Sequence, residues 1–291
     1  MAVKPKLMFV LGTRPEVIKL APVIIRFRSN PDFIVHVCST GQHREMPSQA
    51  FDAFQIEPDR ELGVMTDDQP LASLSSRSLD ALDEVYRAEN PSFVFVQGDT
   101  TTAMTATLGS YYLRIPVGHV EAGLRTENKF SPFPPVHYNP NVRDAVMPLL
   151  GQCENVHLTD PFGYVDFSRL MAASYLILTD SGRIQEEAPS LGRPVLVLRD
   201  MTERPEGIAA GNAILVGTRT EEIVRQAMRL WRDTGLYESM AEARNPYGDG
   251  NAADRIHDVV AALVSRCGRF DSLLEPAAAA ARRMTSAAGM G

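Results

Sequence analysis

What this chain lacks narrows its reading before any motif is considered. Its three cysteines, Cys38, Cys153 and Cys267, lie far apart and form no Cys-x-x-Cys pair. That pattern fits a reducing compartment with buried or incidental thiols, and not a disulfide framework. No apolar run approaches the roughly 18 residues a membrane span needs. No block of Lys and Arg exceeds a pair, and the formal charge is −7, so neither a membrane nor a nucleic acid is expected as a partner. His, Cys, Asp and Glu show no ligand spacing, so no metal is expected. The first strand begins by Leu7, which leaves no room for a cleaved leader. A soluble cytoplasmic protein is the expectation.

Apolar residues make up 44% of the 291, enough for two core-bearing domains. Strands are expected over Lys6–Leu11, Phe33–Cys38, Ser92–Gln97 and Ile115–Val120. Helical periodicity fills Pro15–Phe27, Glu45–Phe54, Leu71–Arg87 and Ala103–Leu113, with Pro15 suited to a first turn. This β-α alternation predicts a parallel, doubly wound sheet with right-handed crossovers. Glu127–Pro140, rich in Pro and Asn, reads as a linker. The alternation resumes over Asn141–Leu150, Asn155–Leu158, Phe162–Ala172, Tyr175–Leu178, Glu186–Leu191, Pro194–Leu198, Ala213–Val216 and Thr220–Arg232. A helix closes over Arg255–Cys267. The expected organisation is a domain at 1–134, a second at 135–267 and a frayed tail at 268–291.

Polar residues gather at the strands' carboxyl ends, where open α/β sheets bind ligands. The most informative stretch is Thr179–Pro189, followed by Arg204. A turn between an apolar strand and a helix start offers unpaired N–H groups to phosphate. There the Ser181 hydroxyl and the Gly182 amide are candidate donors. Glu186 and Glu187 lie one turn on, where a carboxylate can hold sugar hydroxyls. An ordinary strand-turn-helix capped by Asp180 or Ser181 would use the same residues.

Gly12-Thr13-Arg14-Pro15-Glu16 also follows a strand and opens a helix. Arg14 and Lys19 would add cations to its amides, making an anion seat. The stretch fits neither G-x-G-x-x-G nor G-x-x-x-x-G-K-[ST], so no dinucleotide or P-loop cofactor is expected. Asp99 and Glu121 end neighbouring strands and suit proton transfer. Burial would raise the pKa of Glu121. The bland alternatives are a helix cap for Asp99 and pairing to Arg125 or His119 for Glu121. His36, His157 and His257 read as structural, and Trp231 as core.

These stretches occur in order with Gly41-Gln42-His43-Arg44, Gly98-Asp99-Thr100-Thr101-Thr102, His119–Thr126, Thr202–Glu206 and Asn245-Pro246-Tyr247-Gly248-Asp249-Gly250. Together, over about Lys6 to Cys267, the chain resembles the non-hydrolysing UDP-N-acetylglucosamine 2-epimerases. The resemblance implies two Rossmann-like domains of the GT-B type, a UDP-sugar in the cleft between them, no cofactor, and a homodimer. It implies interconversion of UDP-GlcNAc and UDP-ManNAc by elimination and re-addition of UDP. Asp99 and Glu121 would be catalytic. Arg14, Lys19, Ser181, Gly182, Glu187 and Arg204 would bind substrate, and Gln42, His43 and His137 a second, allosteric UDP-GlcNAc. A non-catalytic UDP-sugar-binding relative and a GT-B glycosyltransferase are the alternative readings.

Two departures from the family pattern stand out. Pro134 runs directly into Pro135-Val136-His137, a segment from well inside the second domain of such enzymes. An internal deletion would remove the first strands and helices of that domain, with a third catalytic-type glutamate and a loop histidine. Arg183 stands where the family carries a second glycine.

Overall fold

The computed structural model describes residues 4–41, 46–66, 69–121, 156–157, 159 and 162–267. They fall into two compact units, divided at Ala122/Gly123 and again at Asp249/Gly250.

The first unit is built on a five-stranded parallel sheet ordered β3-β2-β1-β4-β5. Its strands are β1 (Lys6–Leu11), β2 (Ile34–Ser39), β3 (Arg60–Glu61), β4 (Phe93–Gln97) and β5 (Val117–Val120). Strand β1 lies at the centre, pairing Leu7 with Val35 on one side and Phe93 on the other. Residues Leu7 to Leu11 are wholly buried. A strand covered on both faces reads as a continuous apolar run, which is why Leu7-Met8-Phe9-Val10-Leu11 shows no alternation. Phe9 stacks on Phe95 at 4.6 Å, and Phe27 tilts against both.

Helices α1 (Arg14–Arg28), α2 (Met46–Phe54), α3 (Leu71–Glu89) and α4 (Thr101–Tyr112) connect the strands. Helix α1 buries Val17, Leu20, Ala21 and Ile24, the recurrence of an amphipathic helix facing a sheet. Helix α3 stops at Asn90, which takes a left-handed conformation at φ 45°, a common helix terminator. The unit also takes in the last described helix, Ala252–Cys267. Arg26 of α1 donates to Asp254 at 2.6 Å, and Asn30 meets buried His257 at 3.0 Å. The organisation expected from the sequence places this helix in the second domain. Its apolar face fits α1 as well as any partner, so periodicity could not choose between them.

The second unit has a three-stranded parallel sheet, β6 (Ile177–Thr179), β7 (Val195–Val197) and β8 (Ala213–Leu215), in that order. Its helices are α5 (Tyr164–Ala173), α6 (Gly182–Glu187), α7 (Pro205–Ala209), α8 (Thr220–Arg232) and α9 (Thr234–Ala241), so the closing helix of the first unit is α10. A 3-10 turn, Ala188–Leu191, follows α6. Central β7 is fully buried.

Two elements are absent from the sequence reading and one expectation needs correction. Strand β3 is only two residues long, too short to show a period. Helix α9 was missed because Gly235 in its first turn reads as a breaker, although Asp233 caps it by accepting from Leu236 N at 2.9 Å. Trp231 is 68% exposed, with its ring edge-on to Tyr175. It lies on the outer side of α8, while Leu230 fills the core. The helix expected over Asn141–Leu150 lies outside the described residues. Val156 and His157, inside the expected Asn155–Leu158 strand, belong to no regular element.

Candidate functional site

Two clusters of polar residues stand at the carboxyl edges of the two sheets. In the first unit the organising group is Glu16, which is 1% exposed. One carboxylate oxygen accepts from Gly12 N at 2.6 Å and Thr13 N at 2.7 Å. The other accepts from the Thr100 hydroxyl. Burial raises the Glu16 pKa above the ordinary 4.5, against the opposing pull of these hydrogen bonds. Thr40 and Thr102 meet hydroxyl to hydroxyl at 2.9 Å nearby. The loops after β1, β2 and β4 are thus tied into one rim.

This narrows the expected anion seat. The amides of Gly12 and Thr13, offered by the sequence to a ligand phosphate, are already held by an internal carboxylate. Arg14 is half-buried and Lys19 exposed on the first turns of α1.

Asp99 follows β4 and is exposed. It is not the cap of α4. Thr100 is, accepting from Ala103 N at 3.1 Å, so the bland reading of Asp99 is set aside. Glu121 follows β5, the strand hydrogen-bonded to β4, so the two carboxylates do end neighbouring strands. Glu121 accepts from the Gln97 amide at 3.1 Å. It is exposed rather than desolvated, because β5 is an edge strand with only intermediate burial. His119 meets the Gly98 carbonyl at 2.7 Å. Gln42, His43 and His137 lie outside the described residues.

In the second unit the Thr179–Glu187 turn and Arg204 do come together. Ser181 is the N-cap residue of α6, and its N–H donates to the Thr179 hydroxyl at 3.0 Å. The Glu203 carboxylate and the Arg204 guanidinium both stand over Gly182, where an added Cβ would lie 2.8 Å from Glu203 Oε1 and 3.2 Å from Arg204 Cζ. That crowding gives a close-approach reason for glycine. Arg204 pairs with Glu186 at 2.7 Å and also with Glu203. All three side chains are largely buried, which suits a guanidinium that needs compensation when desolvated. Sequence reasoning missed Glu203. Its signal was adjacency to Arg204 and nothing more. Arg183 sits inside α6 without a positive φ, so its backbone does not need glycine. Glu187 ends α6, half-buried.

The loop carrying Arg204 is itself braced. Tyr247 Oη donates to the Arg204 carbonyl at 3.2 Å and accepts from Gly207 N at 2.9 Å. Burial pushes the Tyr247 phenol up, so it remains a donor. A shallow cavity of about 300 Å³ also opens beyond β7 and β8, lined by Arg199, Asp200, Thr218, Arg219 and Glu222 among others. None of the expected residues lines it. Among the described residues, no group of three His, Cys, Asp or Glu could hold a metal.

The comparisons agree with the motif order. A profile of UDP-N-acetylglucosamine 2-epimerases matches residues 25–135 and 133–261. The chain belongs to the UDP-N-acetylglucosamine 2-epimerase family. The Bacillus subtilis UDP-N-acetylglucosamine 2-epimerase is 36% identical over 357 residues, covering 87% of this chain and 94% of that protein. The crystal structure of UDP-GlcNAc 2-epimerase from Neisseria meningitidis, bound to UDP-GlcNAc, superposes with a TM-score of 0.81 at 34% identity, covering 88% of this chain and 99% of that one. The Streptomyces glycosyltransferase SsfS6 shares the fold alone, at 13% identity and a TM-score of 0.51 over 87% of this chain and 99% of its own. The architecture is therefore the two-domain α/β class shared by these epimerases and GT-B glycosyltransferases. The two halves of the family match meet at Pro134–Pro135. The 357-residue alignment is longer than the 291-residue chain, so the relative holds residues without counterpart here. Both observations bear out the internal deletion.

Proposed function

We propose that this chain binds UDP and UDP-GlcNAc and interconverts UDP-GlcNAc with UDP-ManNAc. The observation that carries the reading is the packing of Arg204 on Gly182 in a chain of this family. A guanidinium beside a strand-turn-helix is suited to a diphosphate. Ser181 and the Gly182 amide add donors and Glu187 suits the ribose hydroxyls, while Arg14 and Lys19 are assigned to substrate on the family resemblance alone. The diphosphate must compete with Glu186 and Glu203 for Arg204.

In this mechanism a carboxylate takes the C2 proton while the C1–oxygen bond breaks and UDP leaves. The resulting 2-acetamidoglucal is reprotonated at C2 on the other face as UDP adds back. Asp99 and Glu121 are the carboxylates proposed for these transfers, since they end adjacent strands and neither is consumed as a helix cap. Gln42, His43 and His137 are assigned to a second UDP-GlcNAc on the family resemblance alone. The protein is proposed to work in the cytoplasm as a homodimer. Met104, Leu108 and Tyr111 on one face of α4 are exposed, which suits a subunit contact.

The deletion sets the expected rate. Loss of one acid/base or charge-stabilising group commonly costs about 10²-fold or more. Groups that act as a unit do not simply multiply. Epimerisation is expected to be very slow while UDP binding persists. Deuterium incorporation at C2 of UDP-GlcNAc in D₂O reports proton abstraction even when net epimerisation stalls. Slow exchange that Asp99→Asn and Glu121→Gln each abolish supports the assignment. Exchange untouched by both changes means that other carboxylates act.

A further inference from the structure

The Asn-Pro-Tyr-Gly-Asp-Gly stretch at 245–250 has no part in the proposed chemistry, yet the structure ties it to the best candidate ligand group. Arg204 is the residue before α7, and its conformation is set by the chain that enters that short helix. Tyr247 Oη reaches into this entry. It donates to the carbonyl of Arg204 itself and accepts from Gly207 N, three residues on. One hydroxyl therefore spans the turn that carries the guanidinium.

The approach is tight. A Cβ at position 207 would lie 2.6 Å from Tyr247 Oη, so glycine there is what admits the phenol. The tyrosine is anchored in turn. Its N–H donates to Asn245 Oδ1 at 2.9 Å, and Asn245 Nδ2 donates to Ser190 Oγ at 2.7 Å. Ser190 lies in the 3-10 turn that continues α6. The stretch thus links the element bearing Gly182 to the loop bearing Arg204. Side chains that hold a binding group in place act by limiting its alternatives, and a small misplacement of a charged donor is costly.

We propose that Tyr247 is a positioning residue: its hydroxyl fixes the Arg204–Gly207 turn so that the guanidinium stands over Gly182, ready for a nucleoside diphosphate. The inference rests on the reading of Arg204 as a diphosphate ligand. It adds that the 245–250 stretch serves this arginine and not catalysis.

The test is calorimetric titration of the full chain with UDP. Arg204→Ala is expected to weaken binding by about 10-fold or more, the loss of a charged hydrogen bond. Tyr247→Phe removes one oxygen and is expected to weaken it by about 3- to 10-fold. Gly207→Ala displaces the same hydroxyl from the other side and is expected to reproduce that loss. The deciding measurement is the double variant. In the Arg204→Ala background, Tyr247→Phe is expected to have no further effect, because it acts only through the arginine. An equal loss in both backgrounds would mean a general structural role and overturn the proposal. So would unchanged affinity in Tyr247→Phe while Arg204→Ala binds weakly. Unchanged affinity in Arg204→Ala would instead remove the diphosphate reading itself. If the phenylalanine variant does not fold, Gly207→Ala and its double with Arg204→Ala carry the same comparison, with the same outcomes.

Discussion

Glu16 is the residue on which the first unit's rim depends, and its physics sets a pH signature. Its folded pKa is raised chiefly by burial. A group whose folded pKa lies above its unfolded value contributes stability when protonated, and loses that contribution as pH rises through the folded value. The charged form of Glu16 is therefore the disfavoured one in the fold, and its hydrogen bonds offset only part of the cost of burial. Glu16→Gln keeps an oxygen for the Gly12 and Thr13 amides and drops the charge. It is expected to melt at or above the wild-type temperature at neutral pH, with the advantage shrinking as pH falls toward 4.5 and below. Glu16→Ala strands both amides and is expected to melt lower at every pH. Thermal scans across pH check both, and a glutamine variant that gains relative stability in acid would reverse the sign. At the second rim, Glu203 competes with any diphosphate for Arg204. Glu203→Gln is expected to tighten UDP binding by about 3- to 10-fold, and calorimetry showing weaker binding would make Glu203 a support for the arginine. The Glu203 role was not legible in the sequence. Glu16 was legible in part: Thr13-x-x-Glu16 is the signature of a capping box, in which the carboxylate turns back onto the N-cap amide of Thr13, whereas its bonds to Gly12 and Thr100 appear only in the fold.

At the scale of elements, the sheet's opposite edge supplies a control with the contrary sign. Helix α3 ends at Glu89, which pairs with Lys6 of β1 at 3.0 Å and Arg60 of β3 at 3.2 Å, with His36 of β2 at 3.6 Å. The hydrogen bond from Lys6 leads the causes that hold its carboxyl below the usual range. Such a group stabilises the fold above its unfolded pKa, and that stability is lost as pH falls through the folded value. Glu89→Gln is expected to be destabilising at neutral pH and progressively less so in acid, opposite to Glu16→Gln. Parallel melts of the two variants read the difference directly. A flat Glu89→Gln profile would mean that solvent screens the cluster. Elements with a clear period were legible from the sequence: β1 matched its expected range, and α1, α3 and β4 came within two residues. Elements defined by partners were not. Two-residue β3 exists only because Cys38 pairs with Arg60, and α10 could be placed only once α1 showed its open face. The candidate site followed the same division. Glycine-rich turns after strands placed Gly182 and Asp99 at the carboxyl ends of strands, as the structure has them, whereas the exposure of Glu121 depends on β5 being an edge, which no local pattern reports.

For the whole molecule, the step at Pro134–Pro135 has a thermodynamic consequence. The first unit has a five-stranded sheet whose central strand is buried along nearly its whole length. The second has three described strands of three residues each, and only β7 is buried throughout. Stability from apolar burial scales with the area covered, and a shorter sheet with fewer strands covers less. On the family resemblance the missing segment comes from the start of the second domain, so its loss is expected to fall on this unit. The two units are therefore expected to unfold separately, the second first. Ligand binding sharpens the distinction, because a ligand stabilises only the folded species that holds it, by an amount that grows with its concentration relative to Kd. UDP is proposed to contact Ser181, Gly182, Glu187 and Arg204, all in the second unit. Calorimetric scans at rising UDP should move the lower transition upward and leave the upper one nearly still. Trp231, exposed on α8 of that unit, is the chain's single tryptophan and gives a second probe. Its fluorescence should follow the lower transition and shift with UDP in step with the heat signal. Arg204→Ala should suppress that shift. A single sharp transition, moved as a whole by UDP and tracked equally by tryptophan and heat, would show that the shortened unit has re-closed its core and folds as one with the rest.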